Sequence, residues 1–497
     1  MWAELGRPLT FAEMEVVEAN AGALGVSVES LMERAGRAVA EEAMRHLPPA
    51  PARVAVVAGT GNKGGDGAGA AHHLLEWGYQ PEFWIVRSPA QIRSHAARRA
   101  FERIERRLPV HTSLPRPEEL ARFPLVIDAL LGTGQSGALR SPYQEAVVAI
   151  TASRVPVLSI DLPTGTHDPA GLRPSWTVTL TGPKAEMDPA SAGEVHVVDI
   201  GIPPAAWTET GPGEFLFFPT AQLDEGGRRG RVAIVGGGPY AGAPGLAALA
   251  ALRAGAERAT VLAPGGAAEL VQSFSPNLVV HPFGRDRFTP NDVGPLLRFL
   301  DQAPAQAVVL GMGAGSDPTT IEAMGQLERA LAGHVPLVVD ADALRALPSA
   351  LSREPPAVPV VATPNFGEFI RDFGGAPGAA PADRRQHAVA EAARLGLTLV
   401  AKGHPDIVSD GVVAVENHHH SPYQTVGGVG DVLGGVLGSL LAQGLPGLHA
   451  GRLATYWVGE AGVRAAGARG PGLVATDVIE ELPATLVVGL SRVRHAE

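Results

Sequence analysis

A chain of 497 residues, 45% hydrophobic and 18% charged, is longer than one hydrophobic core usually holds, so two or three domains are expected. Its net charge of −11 leaves no basic stripe to neutralise a phosphate backbone, which argues against nucleic acid as the main partner. The absence of cysteine excludes disulfides and a cysteine nucleophile, and no apolar run reaches membrane-spanning length; the expectation is a cytoplasmic protein with small solutes as partners and none in the membrane.

The first segments, TFAEMEVVEANA and SVESLMERAGRAVAEEAMRHL, place apolar residues at helical spacing (Leu31, Ala35, Ala38, Val39, Met44), with Ser27 or Ser30 as a cap. After the PPAP break, β-rich runs occupy 53–59, 81–87, 124–130, 155–162, 177–180 and 195–201, most of them separated by amphipathic stretches of helix length. That rhythm means a parallel sheet covered on both faces. Residues 202–219 lack periodicity and carry many breakers, so domains are expected at 1–215 and 220–497. A second series follows, with strands at 231–236, 259–263, 277–282, 306–311, 336–341, 358–363 and 397–403. The Gly-Pro-Ala-rich stretches 374–382 and 464–472 read as surface connections.

In open α/β sheets ligands bind beyond the carboxyl ends of the strands, so residues just after strands matter most. Gly59-Thr60-Gly61-Asn62-Lys63-Gly64 satisfies G-x-G-x-x-G, yet the next strand ends in Arg87 where a dinucleotide fold needs an acidic residue for the ribose. The Walker pattern is also absent. Asp66, Asp128 and Asp161 follow three strands and would converge on one crevice, unless each merely caps the turn after it. In the second half Gly428-Val429-Gly430-Asp431 opens an apolar helix, which places Asp431 beside an anion hole, where it could take a proton from a hydroxyl attacking a phosphoryl group. DADAL (340–344), TPNFGE (363–368) and AKGHPD (401–406) also stand at strand ends. His418 to His420 invite a metal reading, but adjacent loop residues rarely aim three imidazoles at one ion.

The blocks LMERAG (31–36), GNKGGDG (61–67), VIDALLGTG (126–134), SIDLPTG (159–165), TVTLTGPK (177–184) and GEVHVVDIGIP (193–203), in that order, resemble the epimerase half of the bifunctional NAD(P)H-hydrate repair enzymes. GRVAIVGGGPYAGAPGLAALAALRAGA (230–256), SPNLVVHP (275–282), VLGMGAG (309–315), LVVDADAL (337–344), TPNFGE, AKG and GGVGDVL (427–433) resemble that family's dehydratase half. The resemblance implies a Rossmann-like three-layer domain followed by a ribokinase-like α/β domain. It also implies a repair pathway in which one half interconverts the R and S hydrates of NADH and NADPH. The other half dehydrates the S form with ADP or ATP and Mg²⁺, and the protein is expected to be a homo-oligomer.

By the family pattern, Asn62, Lys63, Gly64, Gly65 and Asp66, with Gly132, Thr133, Gly134, Gln135, Ser136, Gly137 and Ala138, hold the first substrate, and Asp161 is the acid/base. Asp128 and Thr164 fall where the family binds potassium. Ala243, Gly313, Asn365 and Asp431 match substrate positions of the second site, with Asp431 catalytic; Lys402, Gly403, His404, Pro405, Asp406 and Gly430 match nucleotide positions. Lys63 stands where the family has a potassium-liganding asparagine, and an ammonium cannot ligate a cation: either it supplies the missing charge itself or it points to solvent. Asn365 replaces a substrate-contacting histidine, and His404-Pro405-Asp406 replaces a small-residue stretch, with Pro405 removing one backbone donor. These departures motivate a second reading, a nucleotide-binding scaffold or sensor with one decayed site; a third is a small-molecule kinase of the ribokinase superfamily, since G-x-G-D alone does not distinguish phosphoryl transfer from dehydration.

Overall fold

The computed structural model describes residues 7–132, 137–220, 230–351, 356–374 and 380–494. The chain divides into two compact units after Pro204. The first holds a seven-stranded sheet with β1 Arg53–Ala58, β2 Gln80–Ile85, β3 Val110–His111, β4 Val126–Ala129, β5 Val157–Ile160, β6 Trp176–Leu180 and β7 Glu194–Val198. Its order is β3-β2-β1-β4-β5-β6-β7, with every pairing parallel. The direction of winding reverses between β1 and β4, and a crevice opens there at the carboxyl ends of the strands. β1 is apolar along Val54–Ala58 and β4 is buried throughout, Asp128 its single polar residue, because both faces are covered.

Helix Val28–His46 starts at Ser27, whose side chain accepts from Ser30 N, and buries Leu31, Met32, Ala35 and Val39, while Met44 lies exposed. It crosses helix Asn62–Glu76 at glycines. A Cβ at Gly36 would stand 2.7 Å from the Gly69 backbone, and one at Gly65 would stand 2.6 Å from Met32 Sδ. A Cβ at Gly59 would strike the Leu130 carbonyl, and one at Gly64 the Gly59 carbonyl. Gly59, Gly64, Gly65 and Gly67 of the GTGNKGGDG stretch thus serve close approach between helix, strand and helix, while Gly61 faces open space.

The second unit holds β8 Arg231–Val235, β9 Arg258–Ala263, β10 Val279–Pro282, β11 Ala307–Leu310, β12 Leu337–Val339, β13 Val360–Ala362, β14 Thr398–Ala401, β15 Asp406–Ser409 and β16 Ala414–Asn417. The order is β10-β9-β8-β11-β12-β13-β14-β15-β16. Pairings from β10 to β14 are parallel, and the last two are antiparallel. The parallel part packs a large apolar cluster that includes Val235, Leu310, Val339, Phe369 and Leu399. Here too the order reverses at the first strand, between β8 and β11.

Residues Ala205–Thr208 and Pro212–Phe217, inside the stretch read as a boundary, are helical turns of the second unit. Trp207 and Phe215 are buried there, and Glu214 forms a buried ion pair with Arg452 (2.9 Å). Residues 464–469, expected as a loop, close the long helix Gly447–Arg469; three alanines favour the helix and its packing carries it past Gly467. Among the described residues, no helix is long and apolar enough to cross a membrane.

Candidate active sites

In the first unit β4 carries Asp128 near its end, fully buried. Its carboxylate accepts from Leu130 N (3.1 Å), Ser159 Oγ (2.8 Å), Thr164 N (3.0 Å) and Thr164 Oγ1 (2.7 Å). A fifth donor is Lys63, whose side chain runs inward from the first turn of helix Asn62–Glu76 and is 5% exposed. Lys63 Nζ lies 3.1 Å from Asp128 Oδ2, 2.9 Å from Leu131 O, 2.6 Å from Leu162 O and 3.3 Å from Thr164 Oγ1. Of the two orientations open to Lys63, the inward one is present. The oxygens available to a potassium ion at Asp128 and Thr164 already surround an ammonium, so these residues do not fit the ion.

Asp161, just past β5, holds φ at 61°, a left-handed conformation that costs a residue with a Cβ and recurs at functional sites. That backbone aims its carboxylate at Lys184 Nζ, with which it is ion-paired, and at Leu180 N (3.2 Å). Lys184 is itself fixed by Leu180 O (2.7 Å) and Thr179 Oγ1 (3.2 Å). Asp66 is buried in the same crevice: burial first, and the negative charges of Asp161 and Glu18 after it, hold its carboxyl well above the usual carboxylate range. The Glu18 carboxyl is pushed up to about 7, by desolvation first and by Asp161 second, although part of its side chain is open to solvent, which weakens the desolvation. A carboxylate ion-paired to a lysine beside Asp66, whose carboxyl is held well above the usual range, is an acid–base arrangement.

Around this centre, Asn62 is exposed at the helix start and Gly64 and Gly65 are buried in packing. Gly132 faces the Lys63 stem, where a Cβ would meet Lys63 Cβ at 3.6 Å. Thr133, Gly134, Gln135 and Ser136 lie outside the described residues, and Gly137 and Ala138 are exposed. Lys184 and Glu18 are site residues that the sequence pattern does not mark out. Lys184 closes the TVTLTGPK block, so a lysine after a strand is its available signal; Glu18 on helix Phe11–Ala23 offers none.

In the second unit, helix Val429–Ala442 starts from Gly428 at φ 97° and carries Asp431 in its first turn. Burial first, then Asp340, push the Asp431 carboxyl up to about 7, against the opposing pull of Lys402. Lys402 Nζ lies 2.8 Å from Asp340 Oδ1, and a Cβ at Gly430 would stand 3.2 Å from the same nitrogen. Burial pulls the Lys402 ammonium down, but Asp340 and Glu368 more than offset it and leave it raised. A cleft of about 750 Å³ opens at the ends of β8, β9 and β11, lined by Gly238, Pro239, Ala267, Asp286, Arg287 and Asp317 among others. Next to it Gly313 (φ 67°) and Ala243 meet: a Cβ on the glycine would lie 3.3 Å from that of Ala243.

The loop 402–406 is fastened from behind. Gly403 N donates to Asp406 Oδ1 (2.8 Å) and Lys402 N to Pro364 O (2.8 Å), while Pro405 has no N–H to offer. Arg384, buried and unforeseen from sequence, donates to His404 O (3.2 Å) and Pro405 O (2.9 Å). Asp406 also takes a bond from Asn417 Nδ2 (3.1 Å), so its carboxylate is spent inside the loop. Asn365 caps helix Phe366–Phe373 in a reciprocal pair with Glu368 (Glu368 N to Asn365 Oδ1, 3.0 Å). The three histidines diverge, His418 to Glu416, His419 to Glu460 and His420 to His404. Among the described residues, no group of three or more histidines and carboxylates could hold a metal ion.

The family model described as NAD(P)H-hydrate dehydratase matches residues 232–484, and that of a YjeF-related protein N-terminus matches residues 28–186. A protein of Hyperthermus butylicus named bifunctional NAD(P)H-hydrate repair enzyme is 37% identical over 507 aligned positions, covering 97% of this chain and 93% of its own. The chain belongs to the bifunctional NAD(P)H-hydrate repair enzymes. A relative of the same name from Pyrobaculum aerophilum is 36% identical and covers 96% of this chain and 97% of its own. A solved structure of an ADP/ATP-dependent NAD(P)H-hydrate dehydratase from Bacillus subtilis, 22% identical, covers 52% of this chain and 90% of its own at a TM-score of 0.43. As a NAD(P)H-hydrate repair enzyme, this chain joins an isomerase to a lyase, and its two compact units each carry one cluster of carboxylates and lysine at the ends of parallel strands.

Proposed function

We propose that the first unit epimerises the R and S hydrates of NADH and NADPH at the hydrated ring carbon, and that the second dehydrates the S form at the expense of ADP or ATP. The observation that carries this reading is Asp431: a carboxyl with its pKa near 7, in the first turn of a helix whose N-terminus favours phosphate. Asp431 takes the proton of the ring hydroxyl as that oxygen attacks the terminal phosphorus and the bridging P–O bond breaks. The ring nitrogen then expels the phosphate, and a proton leaves the neighbouring carbon, which restores the reduced nicotinamide. Lys402 and the amides around Gly430 hold the phosphate charge. Mg²⁺, when bound, would neutralise that charge; one carboxylate plus the phosphates suffice to hold it, and Asp340 would supply it. Ala243 and Gly313 line the side toward the nicotinamide. The loop from Gly403 to Asp406 supports the nucleotide more by shape than by backbone donors, and Asn365 acts through Glu368 as a cap.

In the first unit a protonated Asp66 delivers a proton to the departing hydroxyl, and Asp161 takes one from the water that returns to the opposite face. Asn62 and the segment from Gly132 to Ala138 hold the coenzyme. A cytoplasmic homo-oligomer with no nucleic-acid or membrane partner completes the reading, in keeping with the net charge of −11. The deciding experiment incubates a mixture of hydrated NADH epimers with ADP or ATP and follows the returning absorbance of reduced nicotinamide. Full conversion supports both activities, and conversion of the S fraction alone supports only the dehydratase. Tight nucleotide binding without conversion would favour a scaffold.

A further inference from the structure

Four oxygens converge on Lys63 Nζ within 3.3 Å: two backbone carbonyls, of Leu131 and Leu162, one carboxylate oxygen of Asp128 and the hydroxyl of Thr164. Carbonyl oxygens only accept, so the nitrogen must donate to both. The Thr164 hydroxyl has its hydrogen on Asp128 Oδ1 at 2.7 Å and can accept as well. A neutral amine has two hydrogens and a lone pair, and here the lone pair would face an oxygen. An ammonium has three hydrogens and meets only acceptors. The Asp128 carboxylate, fully buried and itself surrounded by donors, supplies the single compensating charge.

This is the coordination shell of a monovalent cation with the cation attached to the chain. We propose that the Lys63 ammonium is a tethered replacement for the metal ion of the first site, so that this unit is stable and turns over without potassium. A second cation has no place among oxygens already bonded to the first, and two like charges at that separation would repel. Burial pulls the Lys63 pKa down, with the Asp128 charge and hydrogen bond opposing it. From this position the Lys63 charge reaches both Asp66 and Asp161, the groups assigned to the epimerase chemistry, on whose reading the catalytic half of this proposal rests. The four-carbon stem makes the exchange possible, because it carries the charge from the helix start past Gly132 into the ring of oxygens. A bound ion stabilises by an amount that grows with the logarithm of its concentration, through mass action, whereas a tethered one does so at any salt composition.

The test compares the full-length protein and Lys63→Asn in KCl and in tetramethylammonium chloride at equal ionic strength, by calorimetry and by the rate at which a single hydrate epimer equilibrates. The wild type is expected to show the same unfolding midpoints and the same epimerisation rate in both salts. Lys63→Asn vacates the oxygens, so its lower midpoint should fall by about 10 °C in tetramethylammonium chloride. That midpoint and the epimerisation rate should both recover as KCl is added. A wild-type midpoint or rate that rises with potassium overturns the proposal, as does a Lys63→Asn protein as indifferent to the salt as its parent. Should the variant not fold in either salt, the wild-type comparison decides alone. Should no epimerisation be found in any salt, the functional reading of the first unit fails while the midpoints still report on the tethered cation.

Discussion

Asp161 and Asp431 both accept a proton in the proposed reactions, yet their surroundings differ. Asp161 is turned by a left-handed backbone onto the Lys184 ammonium, and Asp431 is raised to about 7 by burial and by Asp340. Lys184→Met should remove the ion-pair partner that orients the Asp161 carboxylate. In a mixture of hydrate epimers, nucleotide-driven recovery would then stop once the S fraction is consumed, the slow spontaneous exchange aside. Asp431→Asn should abolish recovery altogether while nucleotide binding, measured by calorimetry, persists. The wild-type dehydration rate should rise with pH through about 7, since below that value Asp431 carries the proton it must accept. A rate profile flat across that range would remove Asp431 as the base. Asp161 is visible in the sequence as a strand-end residue, Asp431 by the glycine-flanked start of its helix, and Asp340 and Glu368 within the strand-end blocks DADAL and TPNFGE. The roles of Lys184 and Glu18 are not legible there, because what makes them functional is a charged neighbour brought from elsewhere along the chain.

At the scale of helices and strands, the apolar runs locate the parallel strands well, since a strand buried on both faces has few polar residues to interrupt it. The antiparallel β15 and β16 do not stand out: IVS and AVEN are short, and β15 begins inside a loop that matches a nucleotide motif. The glycine string after β1 reads as a ligand cradle, and the structure gives much of it to packing. Gly36→Val should therefore drive apart helices Val28–His46 and Asn62–Glu76 and cost about 1–3 kcal/mol or more, seen as a shifted denaturant midpoint. Helix Pro318–Leu331 offers the reverse case. Glu328 is fully buried, neither carboxyl oxygen has a hydrogen-bond partner among the described residues, and burial holds its pKa well above the normal value. The folded state keeps this proton at pH values where the unfolded chain has released it. Stability therefore falls as pH rises above the unfolded pKa, by up to about 1.4 kcal/mol per pH unit, until the folded group ionises. Glu328→Met should raise the thermal midpoint, and by more at pH 8 than at pH 5.

At the scale of the whole molecule, two compact units and two sets of site residues account for a chain that resembles one family along its length. Residues 205–217 show what a sequence without periodicity can conceal. Their breakers read as a linker, but Trp207, Glu214 and Phe215 are core residues of the second unit. Glu214→Ala leaves Arg452 buried and unpaired, and should lower the unit's stability by about 3–5 kcal/mol, measured by calorimetry on the intact protein.

The sequence by itself determined the class of fold, the family and the carboxylates at strand ends, because these follow from local apolar patterning and from motifs contiguous in the chain. Only the tertiary structure decided where Lys63 points, what Asn365 caps and why the glycines of GTGNKGGDG are needed. The lysine and the glycines depend on groups many residues away, Asp128 and Leu162 for the one and Leu130 and Met32 for the others, and a linear pattern does not encode which distant oxygen or side chain will arrive beside a given residue.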